Sequence, residues 1–147
     1  MLDDASFQAG VLTANGHELF QRVYFEDTDF SGRVYHARYL HFLERGRSDY
    51  LRLLGVNHRD LAAADLAFAV SRMEIDFLRP ASIDDVLAIH TKPETVGGAR
   101  IQLRQQITCK AVQLVEANVM VVLIGSNGRP SRLPEAIRTA FRPDAAQ

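Results

Sequence analysis

Residues 36–54 read HARYLHFLERGRSDYLRLL, and Gly55 follows. Leu40, Leu43, Tyr50, Leu51 and Leu54 recur at three- and four-residue steps, the period of a helix with one apolar side. Tyr39, Phe42 and Gly46 widen that side. Arg38, His41, Arg45, Ser48, Asp49 and Arg52 gather on the other. So broad a stripe suits a helix gripped by a sheet, and Gly55 stands where a helix ends.

Working outward, Leu19 to Phe25 is rich in Val, Tyr and Phe and predicts a first strand. Between it and the helix lies Glu26 to Arg33, EDTDFSGR, a polar loop containing Gly32. Beyond Asp65 the period changes to two. Met73, Ile75 and Phe77 alternate with charged residues, a turn follows at Pro80, and Val86 to Ile89 is apolar. After Gly97-Gly98, Ile101, Leu103, Ile107 and Cys109 alternate with Gln102, Arg104, Gln106 and Thr108, predicting a strand with one wet face. Leu114 to Ile124 is apolar on both faces in its second half, as a central or subunit-covered strand would be. Leu133 to Phe141 predicts a short closing helix.

Short connections make these strands antiparallel neighbours. The expectation is an α+β domain over residues 18–142, one long helix against a five-stranded antiparallel sheet, with residues 1–17 as an arm. One helix cannot cover both faces of such a sheet, so a homodimer is expected.

Composition excludes several classes. The formal net charge is −1, too little for a general nucleic-acid field. The lone Cys109 cannot form an intrachain disulfide, and on the apolar side of its strand it predicts a core residue. No apolar run reaches the ~20 residues of a bilayer span, and the N-terminus MLDDASFQAG lacks the basic start of a signal peptide. A cytoplasmic protein is expected.

No phosphate-cradling glycine loop and no G-x-S-x-G nucleophile turn is present. His36 and His41 are five residues apart and cannot share a metal on a helix; no metal site is expected. The loop before the helix is the chemical feature. Glu26, Asp27 and Asp29 crowd three carboxylates into four residues, ahead of a helix start whose backbone N–H groups are unpaired. A carboxylate facing such amides can attack, or activate water against, a carbonyl whose oxygen they hold. The same acids also fit simple caps or an Asx turn.

The run Arg22-Val23-Tyr24-Phe25-Glu26-Asp27-Thr28-Asp29-Phe30-Ser31-Gly32-Arg33-Val34-Tyr35-His36-Ala37-Arg38-Tyr39 closely resembles the start of the 4-hydroxybenzoyl-CoA thioesterase family, nearest its Tol-Pal-associated branch. Phe42-Leu43-Glu44-Arg45-Gly46-Arg47, Phe77-Leu78-Arg79-Pro80-Ala81 and Arg132-Leu133-Pro134 support it, so the resemblance covers most of residues 19–141. It implies a hotdog fold, homodimers or homotetramers with active sites at subunit boundaries, and hydrolysis of short-chain or aromatic acyl-CoA thioesters without metal or organic cofactor. The family's catalytic aspartate falls on Asp29, and the amide that polarises the thioester carbonyl falls on His36.

Within that expectation the substrate-binding candidates are Gly32, Tyr39 and Arg100. The His36 side chain is a candidate acid for the leaving thiolate. Two departures stand out. Phe25 replaces a tyrosine frequent in relatives, and the Gly97-Gly98-Ala99-Arg100 turn keeps only Arg100 of the basic residues some relatives use for CoA phosphates; Arg129 and Arg132 are candidate substitutes. Some hotdog enzymes use a helix glutamate, a position Glu44 could fill, but a salt bridge from Glu44 to Arg47 is expected instead. Arg47, inside the apolar arc, is expected to pair with a carboxylate or snorkel. The alternatives are a hotdog enoyl-CoA hydratase or dehydratase, and a non-catalytic scaffold binding acyl carrier protein or lipid-synthesis partners at the inner membrane.

Overall fold

A computed structural model describes residues 8–56 and 58–141. In chain order the elements are β1 (Val11–Leu12), β2 (His17–Arg22), a 3-10 turn (Phe25–Asp27), α1 (Arg38–Leu53), α2 (His58–Ala63), β3 (Ala67–Phe77), β4 (Val86–Val96), β5 (Arg100–Cys109), β6 (Val112–Ile124) and α3 (Glu135–Phe141). All six strands join one antiparallel sheet in the order β1-β2-β4-β5-β6-β3.

The sheet has six strands rather than the five expected. The additional one, β1, is two residues long and pairs with Glu18 and His17 across the Asn15-Gly16 turn, too short to print a period. The first main strand also differs. It ends at Arg22, not Phe25, because Asp27 turns the chain: its Oδ2 accepts the Tyr24 N–H at 2.9 Å and its carbonyl accepts the Tyr35 N–H at 3.0 Å.

α1 lies across one face of the sheet and buries Tyr39, Phe42, Leu43, Gly46, Tyr50 and Leu51. Leu40, counted in the sequence stripe, is 41% exposed. The buried face is rotated toward Gly46, where a Cβ would stand 2.8 Å from Ile89 Cγ2, so the helix backbone sits almost on the sheet. Gly55, at φ +86°, ends the helix with the Val56 N–H on the Leu51 carbonyl at 2.9 Å. Against the helix the sheet presents Leu87, Ile89, Ile107, Val119 and Leu123, all buried, and α3 adds Ile137 and Phe141.

The apolar β6 runs between β5 and β3, a central strand. The far face of the sheet is polar, with Arg104 paired to Glu116 across β5 and β6. The ends of the sheet are unequal. β1 is two residues, whereas β3 leaves eleven residues with one open side. Among the described residues no helix is long and apolar enough to cross a membrane.

Candidate active site

The acidic loop is a tight hairpin laid against the start of α1. Thr28 bridges Val34, the Asp29 N–H reaches the Arg33 carbonyl at 3.0 Å, and the Gly32 N–H returns to the Asp29 carbonyl at 3.0 Å. Gly32 takes φ +79°, a conformation that favours glycine. Arg38 staples the hairpin to the helix: its Nε is 3.0 Å from Asp27 Oδ1 and its Nη2 donates to the Glu26 carbonyl at 2.9 Å. The three acids therefore have separate fates. Asp27 is buried and structural, while Asp29 projects from the loop into solvent.

Asp29 Oδ1 accepts the Ser31 N–H at 2.8 Å and the Ser31 hydroxyl at 2.5 Å. This is the Asx-type turn that sequence allowed. It leaves Oδ2 without a partner among the described residues. The two Ser31 bonds, the hydroxyl first, hold the Asp29 carboxyl below its ordinary value, so the group is ionised near neutrality. Asp29 lines a shallow depression with Glu26, Thr28, Tyr35, Ala37, Arg38 and His41. His41 joins it from the helix side that sequence had read only as solvent-facing.

His36 lies in the turn leading into α1, since the helix proper starts at Arg38. Among the described residues no acceptor engages the His36 or Ala37 amide. The His36 ring turns to Tyr35 (4.7 Å) and Phe77 (6.1 Å). Tyr39 is 3% exposed; its ring packs on Phe42 and Phe77, and its hydroxyl accepts the Ala81 N–H at 3.0 Å. Phe25 stands 82% exposed. Arg100 opens β5, at the far end of the sheet from the hairpin.

A second concavity lies between the later turns of α1 and the sheet. This cavity of about 120 Å³ has walls of Leu51, Phe68, Val70, Leu103, Val121 and Phe141, with Glu44, Arg47, Ser48 and His58 as its polar groups. The expected Glu44–Arg47 bridge is replaced by other bonds. Glu44 Oε1 accepts the Ser48 hydroxyl at 2.8 Å, and Ser48 Oγ lies 3.2 Å from His58 Nε2. Arg47 donates from Nη1 to Gln105 Oε1 at 3.0 Å, and burial lowers its pKa. Gln105 is itself fully buried and donates to the Leu43 carbonyl and Thr91 Oγ1. Sequence reading missed the Ser48–His58 contact; the only trace was the four-residue step from Glu44 to Ser48. Among the described residues no three His, Cys, Asp or Glu side chains cluster to hold a metal ion.

Comparison with known proteins places this geometry. The profile of the thioesterase-like superfamily matches residues 23–141. The chain belongs to the thioesterase-like superfamily. It is 40% identical over 129 residues to the acyl-CoA thioesterase YbgC of Haemophilus influenzae, covering 86% of this chain and 95% of that one. Among solved structures, a probable thioesterase from Bartonella henselae superposes with a TM-score of 0.78 at 49% identity, covering 81% of this chain and 99% of that one. A Thermus thermophilus thioesterase complexed with coenzyme A and Zn gives 0.76 at 27% identity, covering 88% and 94%. The fold is that of the hotdog thioesterases.

Proposed function

We propose that this chain hydrolyses acyl-CoA thioesters, short-chain or aromatic, with Asp29 as the reacting carboxylate and the His36 amide as donor to the thioester carbonyl oxygen. One observation carries this reading. An ionised carboxylate, one oxygen pinned by Ser31 and the other unbonded, shares a depression with the two residues flanking His36, whose own amide has no acceptor among the described residues. A free N–H beside a fixed anion is the pairing that acyl transfer needs: the first takes the charge growing on oxygen, the second acts at carbon or on water. The names of the relatives, acyl-CoA thioesterases, supply the same substrate class.

In this reading Gly32 shapes the hairpin, Tyr39 fixes the Ala81 loop under the site, and Arg100 takes a CoA phosphate. The chain works as a homodimer. β3 is a long strand with one unpaired side and exposed Val70, Phe77 and Leu78 along or beside it, an edge that a second copy would cover.

The test is hydrolysis of a panel of acyl-CoA esters by wild type and Asp29→Asn. A loss on the order of 100-fold or more is expected; near-full activity in the variant ends the assignment. After single turnover in ¹⁸O-water, label in the Asp29 carboxyl establishes a mixed anhydride opened at the aspartyl carbon, whereas for label found only in the acid, hydroxylamine trapping of the acyl-enzyme separates an anhydride opened at the acyl carbon from direct activation of water.

A further inference from the structure

The polar face of the sheet carries a walled space of its own, between β4 and β5. Lys92 and Arg104 are register partners there, two cations set directly opposite one another. Like charges so placed repel and cost stability. His90 and Gln106 form the next pair on the same face. The turn before β2 brings Thr13 and Asn15 over both pairs, and these six residues line a space of about 220 Å³. The turn is held firmly. The Thr13 N–H reaches the Gly16 carbonyl at 2.9 Å, and a Cβ on Gly16 would stand 2.0 Å from the Thr91 carbonyl oxygen, so the turn is pressed onto β4.

Three other basic groups of this face each have an acid: Arg72 meets Glu74, Arg104 meets Glu116, and His90 Nδ1 stands 3.1 Å from Glu18 Oε2. Lys92 has none among the described residues, and no described carboxylate lines the space. A surplus of positive charge walled by neutral donors is a receptor for an oxyanion. The donor set exceeds what one carboxylate can accept. Lys92 offers three N–H groups, Arg104 those that Glu116 leaves free, and Thr13, Asn15 and Gln106 add a hydroxyl and two amides. A phosphate monoester, close to doubly charged near neutrality and with three terminal oxygens, matches it.

This space lies apart from the Asp29 depression. The hairpin joins the sheet beyond Arg22 and Val86, through the Val23 N–H on the Asp85 carbonyl and the bridge from Arg33 to Ser82. Lys92 is six residues further along β4, about 20 Å at the usual rise. The whole of β6 also stands between β5 and the open margin of β3.

We propose that this space is a binding site for a phosphate monoester separate from the acyl-CoA site, held by Lys92 and Arg104 and by the neutral donors of Thr13, Asn15 and Gln106. The bound oxyanion offsets the repulsion across β4 and β5 and ties the turn before β2 to the sheet. The site does not depend on the hydrolase reading above.

The experiment uses full-length protein in phosphate-free buffer. Inorganic phosphate and glycerol 3-phosphate are titrated by calorimetry, and the thermal midpoint is followed alongside. The expected result is one site per chain with a Kd on the order of 1 mM or below, and a midpoint that rises with ligand. Lys92 is exposed, so its variants keep the fold. Lys92→Gln is expected to weaken binding roughly tenfold or more and to lose the rise, while Lys92→Arg keeps both. Arg104→Gln gives a second reading of the same site. Vesicles carrying phosphatidic acid distinguish the sources of the group. Binding of glycerol 3-phosphate assigns a soluble ester, and capture on vesicles that depends on Lys92, without it, assigns a lipid headgroup. Three outcomes overturn the proposal: wild type that binds none of these probes at about 10 mM, Lys92→Gln and Arg104→Gln that bind as wild type does, or a raised KM for acyl-CoA in Lys92→Gln, which would make the phosphate that of coenzyme A.

Discussion

Arg38 Nε stands 3.0 Å from Oδ1 of Asp27, the buried acid that also takes the Tyr24 N–H. This pair fixes the angle at which the Asp29 hairpin meets the helix. Removing Arg38 strands a buried carboxylate. Arg38→Ala is expected to cost about 3 kcal/mol in denaturant unfolding, and to lower kcat for acyl-CoA hydrolysis even at temperatures where the fold holds.

Asp29 owes its lowered pKa first to the Ser31 hydroxyl and then to the Ser31 N–H. A depressed carboxyl stays ionised to lower pH, so the acid limb of kcat/KM should lie below the ordinary carboxylate range. Ser31→Ala removes the larger contribution and should move the limb upward. A limb that does not move means another group controls it.

Gly46 is where helix and sheet touch. An added Cβ would meet Ile89 Cγ2 at 2.8 Å, Thr91 Oγ1 at 3.2 Å and Gln105 Nε2 at 3.3 Å. In an exposed helix the change to alanine would gain about 1 kcal/mol. Here the crowding, about 1–3 kcal/mol, outweighs it, and Gly46→Ala should lower the thermal midpoint.

His17 ties the chain before β2 to the fold: it is 1% exposed, its Nε2 lies 2.6 Å from the Ala9 carbonyl, and its ring stacks on Tyr50 at 5.7 Å. Burial pushes its pKa below 6.5, against the opposing pull of Ala9, Asp49 and Glu18. The unfolded chain therefore takes this proton more readily than the folded one. The His17 contribution is complete above pH 6.5 and is lost as pH falls from there toward the folded value. Unfolding free energies at about pH 5 and about pH 7.5 should differ more in wild type than in His17→Phe.

The helix, its glycine stop, the long later strands and the acidic loop were legible because each rests on local pattern. What pattern could not carry was set by contact. Leu40 faces solvent since the close approach at Gly46 rotates the helix. Phe25 leaves the strand because Asp27 captures the Tyr24 N–H, a bond that no strand propensity reports. Gln105 is polar yet buried, held by Leu43, Thr91 and Arg47, partners 14 to 62 residues distant. Within the site, Asp29 and Gly32 were visible as a motif. The Ser48–His58 contact joins two helices across residues that share no period.

The unequal ends of the sheet limit how copies of this chain can combine. At one margin, among the described residues, β1 covers only His17 and Glu18 and leaves the short stretch from Leu19 to Arg22 open, while the eleven-residue margin of β3 is the longer template and is self-complementary when reversed. Strand addition through the sheet is therefore favoured at β3, where one reversed copy uses up the whole open margin and leaves no further strand on that side to extend.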